Sequence, residues 1–103
     1  MPVKSYQDDK LLRLRDSDYA SKYLKVAFDE TLKDGDTSAF LLALKNVVDA
    51  KLSVSELASK AQISRQHLHL LFSGKGNPTI ETLASILRVL DLSIDFKPLS
   101  SDD

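Results

Sequence analysis

The chain has no cysteine, only three glycines and three prolines in 103 residues, and almost no net charge, with 14 Lys and Arg against 15 Asp and Glu. Without cysteine, structural disulfides, thiol catalysis and thiolate metal sites are excluded. So few glycines and prolines leave too little turn chemistry for an all-β chain, and helices are the first expectation. A formal charge of −1 offers no global field for nucleic acid or an anionic membrane, so any such surface must be local. No apolar run approaches the ~20 residues of a membrane span, and residues 1–9 hold no apolar stretch of the signal-peptide kind. The simplest address is the cytoplasm.

What is present is one core's worth of periodic apolar sequence, since a chain of this length buries about two-thirds of its unfolded surface. Residues 1–16 show no sustained helical period, and the alternation over Lys10–Asp16 reads as a tail or an edge strand. From Asp18, a plausible N-cap, Tyr19, Ala20, Tyr23, Leu24, Ala27, Phe28 and Leu32 share one face of a helix that Gly35 ends. Asp36 can cap a second helix from about Thr37 to Lys51, with Phe40, Leu41, Ala43, Leu44, Val47 and Val48 as its stripe. The two form a short-linked hairpin. Ser53-Val54-Ser55-Glu56 has the form of a capping box and opens a helix of about seven residues. After the break at Ala61-Gln62-Ile63, Ser64 caps a short helix over Arg65–Phe72, ended by Ser73-Gly74. The loop Gly74–Pro78 leads to Thr79, which caps a last helix through Leu90 with Ile80, Leu83, Ala84, Ile86, Leu87 and Leu90 facing the core. Leu92, Ile94 and Phe96 then alternate as in a short strand, and residues 100–103 are a second tail.

Two short helices joined by a tight turn, with small and apolar residues at set offsets, describe a helix-turn-helix. Ala58 allows close crossing, Ile63 plugs the corner, and Leu68 with Leu71 anchors the second helix. Its outer face is then Arg65, Gln66, His69 and Leu70. Over residues 53–92 the run Leu57–Leu68, followed by Gly74–Leu83, resembles the Cro/C1-type (Xre) DNA-binding family. One position departs: Gln62 stands where that family usually has Gly, and a left-handed conformation there costs a non-Gly residue about 1 kcal/mol. The resemblance implies an all-α, five-helix lambda-repressor-like DNA-binding domain, here with an N-terminal helical hairpin and a short C-terminal strand, spanning residues 17–99.

A narrower resemblance covers more of the chain. Tyr23-Leu24, Leu32–Asp36 ahead of Phe40–Leu44, Gly76-Asn77-Pro78 and Leu87–Leu92 are similar to the HigA-like addiction-module antidote proteins. That similarity implies an antitoxin of a type II toxin-antitoxin module that neutralises a small basic RelE/ParE-type (HigB-like) toxin and represses its own operon.

Charge is distributed unevenly. Residues 53–90 hold Lys60, Arg65, Lys75 and Arg88 against Glu56 and Glu81, whereas residues 1–52 balance nine cations with nine anions. The basic surplus therefore sits on the helix-turn-helix, and a homodimer doubles it. Arg65 and Gln66 suit bidentate contacts to guanine and adenine, and His69 or Leu70 lies one turn later, near a ring nitrogen or thymine methyl. Ser53, Ser64, Lys75, Asn77 and Thr79 stand at helix starts or in the loop, where they suit phosphate oxygens. Their role would be to position rather than specify.

Several blander readings compete with these. A helical core with no ligand also fits residues 53–92, as does a stand-alone regulator, or a toxin-binding module that reads no DNA. His67 and His69 diverge by about 200° on a helix, unlike the i, i+4 spacing of zinc sites, so no metal or other cofactor is expected. Tyr19, Tyr23, Phe28 and Phe40 at helical spacing read as core rather than an aromatic binding box. Asp29-Glu30 has no acid or base partner, and Lys75 lacks the Gly-x4-Gly-Lys spacing of a phosphate loop. No catalytic residue is assigned, and an enzyme is not expected. The segment Leu92–Lys97 is the expected pairing element of a homodimer.

Overall fold

The computed structural model describes residues 11–99. Residues 11–13 are helical (α1), followed by α2 (Ser17–Asp34), α3 (Ser38–Lys51), α4 (Val54–Ala61), α5 (Arg65–Phe72) and α6 (Ile80–Val89). Six helical segments and no strand occur among the described residues, so a five-helix domain with a C-terminal strand is corrected on both counts. The expected tails at residues 1–10 and 100–103 lie outside the described residues.

The extra segment arises from Leu11 and Leu14, three residues apart and so on one side of a single helical turn. Leu14 is fully buried and Leu11 packs beside it, whereas Leu12, between them, is 47 % exposed. The amides of Arg15 and Asp16 close the turn onto the carbonyls of Leu12 and Arg13. Arg15 Nε then donates to the Ala50 carbonyl at 3.1 Å, which ties this turn to the end of α3. Over Lys10–Asp16 the alternation of apolar and polar residues fits an edge strand as well as it fits a helical turn.

The expected strand fails for a different reason. A strand exists by pairing, and the described residues offer no sheet edge to Leu92–Lys97. Asp91, at φ 64°, turns the chain out of α6, with its amide on the Arg88 carbonyl and the Leu92 amide on the Leu87 carbonyl at 2.8 Å. This Schellman-type stop packs Leu92 against the core and leaves Ile94 and Phe96 exposed.

The remaining helix ends follow local chemistry. Asp16, not Asp18, caps α2: its carboxylate accepts from the Asp18 amide at 3.0 Å. Asp18 instead adds a negative charge to the first turn, where the helix dipole favours it. Gly35 ends α2 at φ 76°. Asp36 accepts from both the hydroxyl and the amide of Ser38, and these two bonds hold its carboxyl below the ordinary range.

Packing centres on α3. Phe40, Leu41, Ala43, Leu44, Val47, Val48 and Ala50, half of its 14 residues, are buried, because α2 covers one side and α4 and α5 the other. In α2 only Ala20 and Leu24 are fully enclosed, with Tyr23 and Ala27 half-buried. Tyr19, Phe28 and Leu32, expected on the buried face, remain 37 %, 41 % and 67 % exposed. Phe28 meets Phe40 edge-on with centroids 5.2 Å apart, as a lid on the rim of the core. In α6, Ile86, Leu87 and Leu90 reach the core, but Ile80 and Ala84 face outward. α3 is thus shared: with α2 it forms the hairpin, and it also seats α4 and α5 of the helix-turn-helix.

Candidate nucleic-acid interface

The corner between α4 and α5 is built by three local devices. Ser53 accepts from the Glu56 amide at 3.1 Å while the Glu56 carboxylate accepts from the Ser53 amide at 3.0 Å, completing the capping box. Gln62, with φ 58° and ψ 45°, makes the left-handed exit from α4, and the Ile63 amide returns to the Ala58 carbonyl at 3.1 Å. Ser64 accepts from the His67 amide at 3.0 Å and starts α5. The left-handed turn therefore forms with Gln at the position where Gly is usual.

Within α5, Leu68, Leu71 and Phe72 are buried, which locks one face against α3 and α4. Arg65, Gln66, His67, His69 and Leu70 are exposed on the other sides. Arg65 with His69, and Gln66 with Leu70, form two parallel rows at i, i+4 spacing, so all four base-reading candidates lie on one accessible surface. Leu70 is 54 % exposed, a large aliphatic group open to solvent. Leu71 also receives the following loop: a Cβ at Gly76 would stand 3.3 Å from the Leu71 Cα. That close approach favours glycine, since a Cβ would require the Leu71 backbone to give by a few tenths of an ångström, and it lies between Lys75 and Asn77, both exposed.

The phosphate candidates fall into two groups. The Ser53 hydroxyl is engaged with Glu56, and the Thr79 hydroxyl donates to Thr82 Oγ1 at 3.0 Å while accepting from the Thr82 amide. Glu56 is held ionised by the Ser53 amide and hydroxyl, which lower its pKa, so the start of α4 presents a negative charge. Ser64 uses only its acceptor side as a cap and keeps its O–H to donate. Lys75 and Asn77 likewise present free donors.

Charge pairing separates the two sides of the molecule. On the hairpin, Lys22, Lys25, Lys33 and Lys45 each lie within 4.0 Å of a carboxylate on their own helix, at Asp18, Asp29, Glu30 and Asp49. Lys51 and Arg15 are spent on neutral oxygens between helices. Among the described residues Lys60, Arg65, Lys75 and Arg88 form no salt bridge. Lys60 and Arg88 flank a shallow cleft at the ends of α4 and α6 with Gln62 and Ser85, a juxtaposition that the sequence signalled only as surplus charge. His67 and His69 belong to no cluster of three or more potential metal ligands among the described residues. No helix among the described residues is long and apolar enough to cross a membrane.

Comparison with known proteins agrees with this geometry. A helix-turn-helix family model matches residues 45–97. An uncharacterized protein of Haemophilus influenzae is 31 % identical over 85 residues, covering 78 % of this chain and 87 % of that protein. No solved structure matches. The matched module binds DNA and is regulatory rather than catalytic, and the chain belongs to the Cro/C1-type helix-turn-helix family.

Proposed function

We propose that the chain is a sequence-specific regulator that binds double-stranded operator DNA as a homodimer, with α5 in the major groove. The observation that carries this reading is the first turn of α5: Arg65 and Gln66 are exposed and, among the described residues, unpaired, on a helix whose opposite face is fixed by Leu68 and Leu71. Arg65 and Gln66 read guanine and adenine edges, with His69 and Leu70 one turn further along. Ser64, Lys75 and Asn77 hold the phosphates on either side, and Ser53 and Thr79 contribute mainly by fixing the helix starts. A two-fold dimer sets two such helices about 34 Å apart, or a multiple of that, on a palindromic site. The test is a titration of labelled DNA from upstream of the chain's own reading frame. Binding at low salt that Arg65→Ala weakens by about 1–3 kcal/mol, with relaxed preference at one base position, is the expected outcome. Absence of any shift at low salt removes the reading.

A finer reading is that the regulated operon encodes a toxin that the same chain neutralises in the cytoplasm. Its support is the resemblance of residues 23–44 and 76–92 to HigA-like antidotes, together with a hairpin that the DNA surface does not use. Co-expression with the adjacent reading frame tests it. An Arg65→Ala/Gln66→Ala chain that no longer binds the operator but still rescues growth supports a division of labour. Failure of the wild-type chain to rescue removes the antitoxin role and leaves the regulator.

A further inference from the structure

The hairpin carries an apolar groove on the side of α2 and α3 that faces away from the core. Val26 is 64 % exposed, Leu42 57 % and Tyr19 37 %, and all three line this groove. Between them lie Ala27, Ala39 and Ala43, whose single methyl groups leave a depression. On α2 the lining positions follow i, i+3, i+4 spacing, so the groove runs along the helix as a seam into which another helix can pack. A patch of this kind on a small chain is an interaction surface rather than scatter.

We propose that this groove is the homodimer interface, with α2 and α3 of two copies packing as a four-helix bundle about a two-fold axis. Three features select a second copy as the occupant. Projecting Val26 and Leu42 lie beside alanine depressions on the same face, so a two-fold rotation can place the projections of each copy into the hollows of the other, as an isologous contact requires. The rim is electrically mixed and locally satisfied, because Lys22 and Lys25 pair with Asp18 at 3.9 Å and Asp29 at 2.9 Å on their own helix. Such a rim opposes its own image without net repulsion and offers no field of one sign to a strongly basic or acidic partner. The extent of the seam points the same way: its lining runs over residues 19–27 of α2, about 13 Å of helix, and 39–43 of α3, too short for a large obligate interface and in keeping with a weak, reversible dimer.

The experiment is the solution mass of the full chain without DNA, by sedimentation equilibrium over a concentration series, so its outcome is independent of whether the operator reading holds. The wild-type chain is expected to approach twice its 11.4 kDa mass at the upper end of the series. Val26→Glu/Leu42→Glu is expected to remain monomeric throughout with an unchanged helical circular-dichroism spectrum, because both side chains are exposed in the isolated chain, and to lose any concentration dependence of its melting temperature. Ile94→Ser/Phe96→Ser, on the exposed segment after α6, is expected to leave the dimer intact. A wild-type chain that stays monomeric at every concentration overturns the proposal. So does a dimer that survives the groove variant, and its loss in the Phe96 variant would move the interface to the C-terminal segment. A monomer that fills the groove only with a different co-expressed protein, and releases it on Val26→Glu, assigns the groove to that partner and equally overturns it.

Discussion

Gln62 occupies a conformation that costs an L-residue about 1 kcal/mol, yet the corner of the helix-turn-helix is formed around it. The Ile63 amide bond to Ala58 and the packing of Ile63 against the core over-determine the turn. Gln62→Gly removes the steric cost and loses at least half of the gain to backbone entropy, so a small stabilisation of up to about 0.5 kcal/mol is expected. Urea unfolding would show a higher midpoint at constant slope, and Gln62→Val should lower the midpoint, because a β-branched side chain fits that region worst. Glu56 gives a second prediction at this scale. Its folded pKa is lowered by the Ser53 amide and hydroxyl, so its contribution is complete above the ordinary carboxylate range and is lost as pH falls through its depressed folded value. The stability difference between wild type and Glu56→Gln should therefore be largest near neutral pH and shrink in acid. A difference that persists unchanged at low pH would mean that the carboxylate's charge is irrelevant to the cap.

At the level of the elements, the cations divide into those that hold helices together and those left for a ligand. Lys51 Nζ donates to Ser17 Oγ at 2.8 Å and to the Leu90 carbonyl at 3.3 Å, joining the start of α2, the end of α3 and the end of α6. Lys51→Met keeps the aliphatic stem and removes these bonds, and a loss of about 1–2 kcal/mol is expected in thermal or urea unfolding, with no effect on DNA contacts. The caps of α4, α5 and α6 were legible in the sequence because each depends on one hydroxyl and an amide three residues away, at Ser53, Ser64 and Thr79. The helical turn at residues 11–13 was not, since the alternation over Lys10–Asp16 fits an edge strand equally well. Nor was the outward direction of Ile80 and Ala84: an apolar stripe defines a face, but which part of that face is covered depends on how the neighbouring helices are placed against it. The same limit applies to the site. The exposed set on α5 followed from spacing alone, whereas the engagement of the Ser53 and Thr79 hydroxyls depends on bonds whose geometry spacing does not contain.

For the whole molecule, a charge of −1 gives no net attraction to a polyanion, and the pairing pattern removes the conflict. Four hairpin lysines are neutralised within their own helix, and tail acids lie outside the motif, so within residues 53–90 a duplex meets Lys60, Arg65, Lys75 and Arg88, which form no salt bridge among the described residues. A protein of this kind has little non-specific affinity in reserve. Each phosphate it neutralises should be visible in the dependence of affinity on salt, with log K falling against log salt by about 0.9 per contact. In a dimer, Lys75→Ala removes one contact per copy, so the slope should become shallower by about two, with affinity lowered evenly across operator variants. Arg65→Ala should instead lower affinity most at its preferred base and compress the ranking of variants. Anisotropy titrations of a small operator panel at several salt concentrations separate the two effects. If Lys75→Ala changed the ranking and left the slope untouched, the loop would be reading bases and the division between positioning and specifying residues would have to be reversed.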